Sequence, residues 1–136
     1  MTHLEPRQYN TILKISFLSI GSSVYAMYHR HYTLALCPAG VLLTSINYWR
    51  KPEPWSRTLD MTYVLFALTY QLYKAYHAQY RIPYYMITLV SGSMYPLALY
   101  YSSQKQYWHS TYAHCGIHVL ANVTNLVFWE HFIRIL

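Results

Sequence analysis

The sequence predicts an all-α fold, a polytopic transmembrane helical bundle of about five spans, on three observations. Charged residues make up only 10% of the 136 positions, against 54% hydrophobic. An average soluble chain carries roughly 25% charge, so a water-facing surface would be starved of it. Between charge clusters lie stretches close to the roughly 20 apolar residues that a bilayer-crossing helix needs. Aromatic residues, including 17 Tyr and 4 Trp, gather towards the ends of those stretches, where a lipid–water interface holds amphipathic rings. The mean hydropathy of +0.07 does not oppose this reading, because the scale counts Tyr as mildly polar.

The segments follow in order. Residues 10–28 form the first, ended by His29-Arg30-His31. It lacks a convincing small-residue cleavage site and is expected to be retained rather than removed as a signal peptide. Residues 32–49 form the second, ended by Arg50-Lys51-Pro52, a charged pair and a helix breaker. The third covers 59–77, with Lys74 and several Tyr near its end; the fourth covers 83–101 and opens on Pro83, a good first-turn residue. The fifth covers 110–132. Pro38 and Pro96 fall inside segments and are tolerable where neighbouring helices re-satisfy the freed carbonyls. A single domain is all this length accommodates.

Lys plus Arg exceed Asp plus Glu by six. On an apolar background that excess suits anionic lipid head groups rather than nucleic acid. Arg7, Lys14, Arg50, Lys51, Arg57 and Lys105 fall on the N-terminal side of the expected bundle, and Arg30, Lys74, Arg81 and Arg134 on the other. This bias places the N-terminus in the cytoplasm or a matrix-like compartment. Trp49, Trp55 and Trp108 fall on the same side as the N-terminus, and Trp129 nearer the other. Cys37 and Cys115 both sit in apolar stretches and give no disulfide framework.

Polar side chains at membrane depth are costly, which makes them the functional candidates. His114 and His118 stand four residues apart on one helical face, and Thr111, Asn122 and Asn125 extend the same stripe. Asp60 opens the third segment, and Ser45 and Asn47 lie about one turn from the end of the second. Up-and-down topology brings Ser45, Asp60, His114 and His118 into one half of the bundle, the two histidines roughly 6–12 Å below the start of their helix. A His pair at this spacing can share one zinc ion, with Asp60 completing the shell or orienting water. Equally, the histidines can hydrogen-bond to Asn47, Ser45 or carbonyls as glue between helices, and Asp60 can serve as a cap or first-turn acid.

The order of these motifs resembles the superfamily that joins alkaline ceramidases, adiponectin-receptor-type proteins and related lipid hydrolases. The matching stretches are TSINYW at 44–49, LDM at 59–61 and AHCGIHVLA at 113–121, under a quarter of the chain. The resemblance implies a zinc-dependent hydrolase of an amide bond in lipid. His114, His118 and Asp60 would bind the metal, Asp60 would also act in catalysis, and Ser45 would donate a hydrogen bond to the developing oxyanion. The sequence departs from the pattern at three points. Trp49 stands where a third His is expected, the first segment offers Ser16, Ser19, Ser22 and Ser23 but no acid, and five spans replace seven.

The alternative is a non-catalytic structural or accessory subunit whose partners are lipids and other membrane protein subunits. A transporter is disfavoured by the lack of a repeat and of a second intramembrane acid. Two histidines on one helical face cannot ligate opposite sides of one haem, and the glycosylation pattern at Asn122-Val-Thr124 lies within a segment.

Overall fold

Caps and breakers set the helices. The computed structural model describes residues 4–78 and 81–133, with side chains as far as 126. Its described residues form α1 (Pro6–Ser16), α2 (Ser19–Tyr28), α3 (Tyr32–Arg50), α4 (Pro54–Tyr76), α5 (Arg81–Ser103) and α6 (Tyr107–Ile133). The fold is all-α. The side chain of Trp129 and the whole of Arg134 lie outside the described residues.

The first expected segment is two helices rather than one. Ser16 turns its hydroxyl back onto the Leu13 carbonyl at 2.6 Å. The backbone then tightens to i→i−3 bonds, Leu18 N–H to Ile15 O and Ile20 N–H to Phe17 O, both 3.0 Å. A hydroxyl competing for a helical carbonyl favours such a joint. Phe17 and Leu18 stay right-handed, so α1 and α2 follow each other through a single 3₁₀ turn.

The third expected segment starts earlier than its apolar pattern. Pro54 takes the first helical position and Glu53 is the cap, its N–H donating to Ser56 Oγ at 3.2 Å. Asp60 is therefore in the second turn of α4 and is not the cap. Glu53 pairs with Lys51 at 3.0 Å and accepts from the Trp55 indole. The bonds from Lys51 and Trp55, with the Lys51 charge, hold its carboxyl below the ordinary pKa.

Two helices end the same way. Arg30 (φ 62°) and Lys105 (φ 58°) adopt the left-handed conformation. The next N–H reaches back five residues, His31 to Ala26 O at 2.8 Å and Gln106 to Tyr101 O at 2.9 Å. This is a Schellman closure, a position where glycine is the usual occupant.

The pairings define the topology. α3 packs between α2 and α4, α1 lies against both α3 and α6, and α5 and α6 form the most extensive pair. Ser110 Oγ donates to Ala98 O at 2.7 Å and Ser91 Oγ to Ile117 O at 3.3 Å. One partner's number rises as the other falls, so α5 and α6 run antiparallel. By contrast α4 and α5, although consecutive, meet sparsely. Around Pro38, hydroxyls from neighbouring helices supply donors to α3 carbonyls: Ser23 to Ala35 O at 3.0 Å and Tyr63 to Leu36 O at 2.7 Å. Tyr63 reaches α3 over Gly40, where any Cβ would fall on its ring.

The radial distribution is inverted. Leu43, Phe66 and Leu89 are 69%, 70% and 75% exposed, whereas Asp60 is 9% and Asn122 8%. Much of the buried apolar set is alanine, and the apolar clusters are small: Ile12, Tyr48 and Trp49 at one end, and Ala26, Leu34, Ala35, Ala75, Ala78 and Tyr84 at the other. Among the described residues no helix is long and apolar enough to cross a membrane. Averaging along each helix mixes its buried Ser, Thr, Gln, Asn and His with its apolar outer face, which lowers the mean.

Candidate functional site

A cavity of about 540 Å³ lies among α3, α4, α5 and α6 and touches Ser19 of α2. That volume is typical of a pocket for one small ligand. Asp60, His114 and His118 all line it, so three of the four residues singled out from the sequence share one wall space. Down α6 the stripe continues through Asn122 and Asn125, while α4 opposes it with Val64, Leu65 and Leu68 before ending in Gln71. The i, i+4, i+8 spacing of His114, His118 and Asn122 puts all three on one helical face.

Asp60 is held from α3. Thr44 Oγ1 donates to its Oδ1 at 2.6 Å and Ser45 Oγ donates to the same oxygen at 3.2 Å. Ser45 is 1% exposed and does not line the cavity. Its hydroxyl proton is committed to Asp60, so the expected oxyanion role for Ser45 is not the one this geometry provides. It positions Asp60 instead.

The His114 ring meets Trp49 edge-on, ring centroids 4.9 Å apart, and stands 5.6 Å from the His118 ring. Among the described residues the buried His114 Nδ1 has no hydrogen-bond partner, nor has the Trp49 Nε1. Behind His118, Asn122 Nδ2 donates to the His118 carbonyl at 2.7 Å, and Asn122 Oδ1 accepts from Ser22 of α2. Neither Asn47 nor Ser45 is a hydrogen-bond partner of the two His side chains among the bonds described; the polar residues here join helices instead through Ser22 to Asn122 and through Thr44 and Ser45 to Asp60.

The donor set is a poor fit to the expected zinc ion. Among the described residues no group of three or more His, Cys, Asp or Glu is placed to hold a metal. The physical reason lies in α3: two hydroxyls turn Asp60 towards Thr44 and Ser45, and Trp49 presents an indole against His114. An indole offers no lone pair to a metal.

Two contributors were not singled out from the sequence. Thr44 provides the shorter bond to Asp60, and its adjacency to Ser45 was the available signal. Arg57 Nη2 donates to Tyr95 Oη at 3.3 Å across the α4–α5 seam, and Tyr95 lines the cavity beside Met61. No sequence signal links positions 57 and 95. No protein-family model, curated protein or solved structure matches the chain.

Proposed function

We propose that the chain is an integral membrane protein, a polytopic helical bundle in which α1 and α2 together make one of five crossings, and that its cavity binds a lipid-derived ligand. The observation that carries this reading is the inverted distribution, with Leu43, Phe66 and Leu89 outward and Asp60, Asn122 and Ser45 inward. In water such an exterior would be an aggregation liability; in lipid it is the required solvent-facing surface. Small residues and hydroxyl-to-carbonyl bonds between helices also suit packing where there is no hydrophobic drive between them. The 19 residues of α3 and 23 of α4 and α5 give lengths of about 28–35 Å, enough for a hydrocarbon core of about 30 Å. Exposed Tyr28, Tyr32 and Tyr76 ring one end and exposed Trp55 and Trp108 the other, as interfacial belts do.

Alkaline carbonate washing of membranes containing the full chain tests the placement. Retention in the pellet is expected, and release to the supernatant would overturn it. Saturable binding of a single-chain lipid by the purified chain tests the cavity.

A second reading, hydrolysis of an amide-linked lipid, is favoured by one observation. The His114 and His118 rings and the Asp60 carboxyl line one cavity, and imidazole and carboxylate are the groups that general acid–base hydrolysis uses. Fatty-acid release from ceramide by purified protein, lost in His114→Ala, would support it. Ceramide left intact by a chain that binds lipid would leave the binding reading alone.

A further inference from the structure

The cavity opens through the α4–α5 seam. Met61 and Leu65 of α4 and Gly92 of α5 line it and are themselves exposed, Met61 at 41% and Leu65 at 65%. Tyr85 Oη donates to the Leu72 carbonyl at 3.1 Å where α4 ends and α5 begins, and at the other end of the seam two hydrogen bonds pass through one phenol: Arg57 Nη2 donates to Tyr95 Oη, and Tyr95 Oη donates to Met61 Sδ at 3.4 Å. Arg57 sits one turn nearer the start of α4 than Asp60 and Met61; it does not itself line the cavity but bonds Tyr95, which does. It is half-buried and makes no ion pair among the described residues, whose one such pair joins Lys51 to Glu53 in solvent. A guanidinium has five N–H donors and its preferred acceptor is a planar anion, so a neutral phenol leaves most of that capacity unused.

Resting on the cavity-binding reading, we propose that the ligand is a single-chain amphiphile with an anionic head, a carboxylate or a phosphate monoester. Its head replaces Tyr95 on Arg57, and its chain enters between α4 and α5 to lie along Val64, Leu65 and Leu68. Arg50, Lys51 and Lys105 at the same end add to the positive field, against Glu53. The Asp60 carboxyl opposes an anion one turn deeper, but its Oδ1 is turned onto the Thr44 and Ser45 hydroxyls, which keeps the head at the level of Arg57. The polar stripe of α6 does not need the chain as a partner at Asn122, which is already bonded to Ser22 and the His118 carbonyl.

The test uses the full chain in phosphatidylcholine nanodiscs, with tritiated hexadecanol as reporter and palmitate, hexadecyl phosphate and hexadecylamine as competitors. Both anions are expected to displace the reporter at concentrations about tenfold below unlabelled hexadecanol, the scale of one charge-assisted contact. Arg57→Gln should erase that advantage while hexadecanol still binds, and Arg57→Lys should keep part of it. An advantage for palmitate alone or for hexadecyl phosphate alone identifies which anionic head is held. Equal competition by all heads, preference for the amine, or an anion preference that survives Arg57→Gln would overturn the proposal and leave the cavity reading standing. No saturable hexadecanol binding would remove both.

Discussion

Two consecutive helix pairs in this protein meet in opposite ways. α5 and α6 close on each other along their length: Ala98 is fully buried, Ala113 nearly so, and Ser91 and Ser110 donate to carbonyls on the opposite helix. α4 and α5 meet sparsely, and the space between them is the cavity. The difference is one of side-chain size and polarity. Small residues let two backbones approach until a hydroxyl can reach a carbonyl, whereas Met61, Val64, Leu65 and Leu68 of α4 and Gly92 and Tyr95 of α5 line the cavity instead. A tight hairpin beside a loose seam sets the wall carrying His114 and His118 opposite the seam through which the proposed ligand would enter.

The strongest way to break this contrast is to open the tight pair. Ala98→Phe is expected to cost about 3 kcal/mol, the upper part of the range for overpacking, read as a lowered unfolding midpoint in detergent. Tolerance of Phe there without loss would mean that the α5–α6 contact is not close-packed. Next comes the polar wall itself. Asp60→Ala takes the acceptor from Ser45 and leaves Thr44 only the Val41 carbonyl of its own helix, and should cost about 1–3 kcal/mol, while Asp60→Asn, which keeps an acceptor oxygen, should cost less than half as much. Equal costs would show that the charge, not the hydrogen bonds, holds α3 to α4.

Lys105 turns the chain between α5 and α6 in the left-handed conformation. Lys105→Gly should therefore raise stability by about 0.5–1 kcal/mol in the same measurement. Gly92 marks the loose side, since a Cβ there meets nothing within 4 Å. Gly92→Phe is expected to change stability by no more than about 0.5 kcal/mol yet to block saturable lipid binding; unfolding of this variant would mean that the seam is closed. The smallest effect belongs to Glu53→Gln in the connection before α4. The Glu53 pKa is lowered in the folded chain, so its contribution is complete above the unfolded value and is lost as pH falls through the folded one. Wild type and variant should differ slightly at neutral pH and converge in acid, as a pair of thermal melts across pH would show.

Much of the local structure was legible. Helix identity followed from apolar stretches bounded by His29-Arg30-His31 and by Arg50-Lys51-Pro52, and the alignment of His114, His118 and Asn122 followed from their spacing alone. The joint after Ser16 was less legible, because a serine hydroxyl either bonds its own carbonyl or reaches another helix: Ser16 does the first, Ser22 the second. The start of α4 was misplaced because the apolar pattern begins at Leu59 while the cap, Glu53, precedes it.

What the sequence by itself determined is an all-α chain with its polar residues sorted onto particular faces, since backbone hydrogen bonding and the 3.6-residue period act over a few positions. Whether those faces meet was decided elsewhere. Thr44 and Ser45 capture Asp60, Trp49 covers His114, and Arg57 finds Tyr95 thirty-eight residues away. Each of these contacts depends on the rotation and separation of packed helices, which are set by the sizes of all the residues between them and by no local spacing. The same packing left α4 and α5 apart, and with that gap came the cavity.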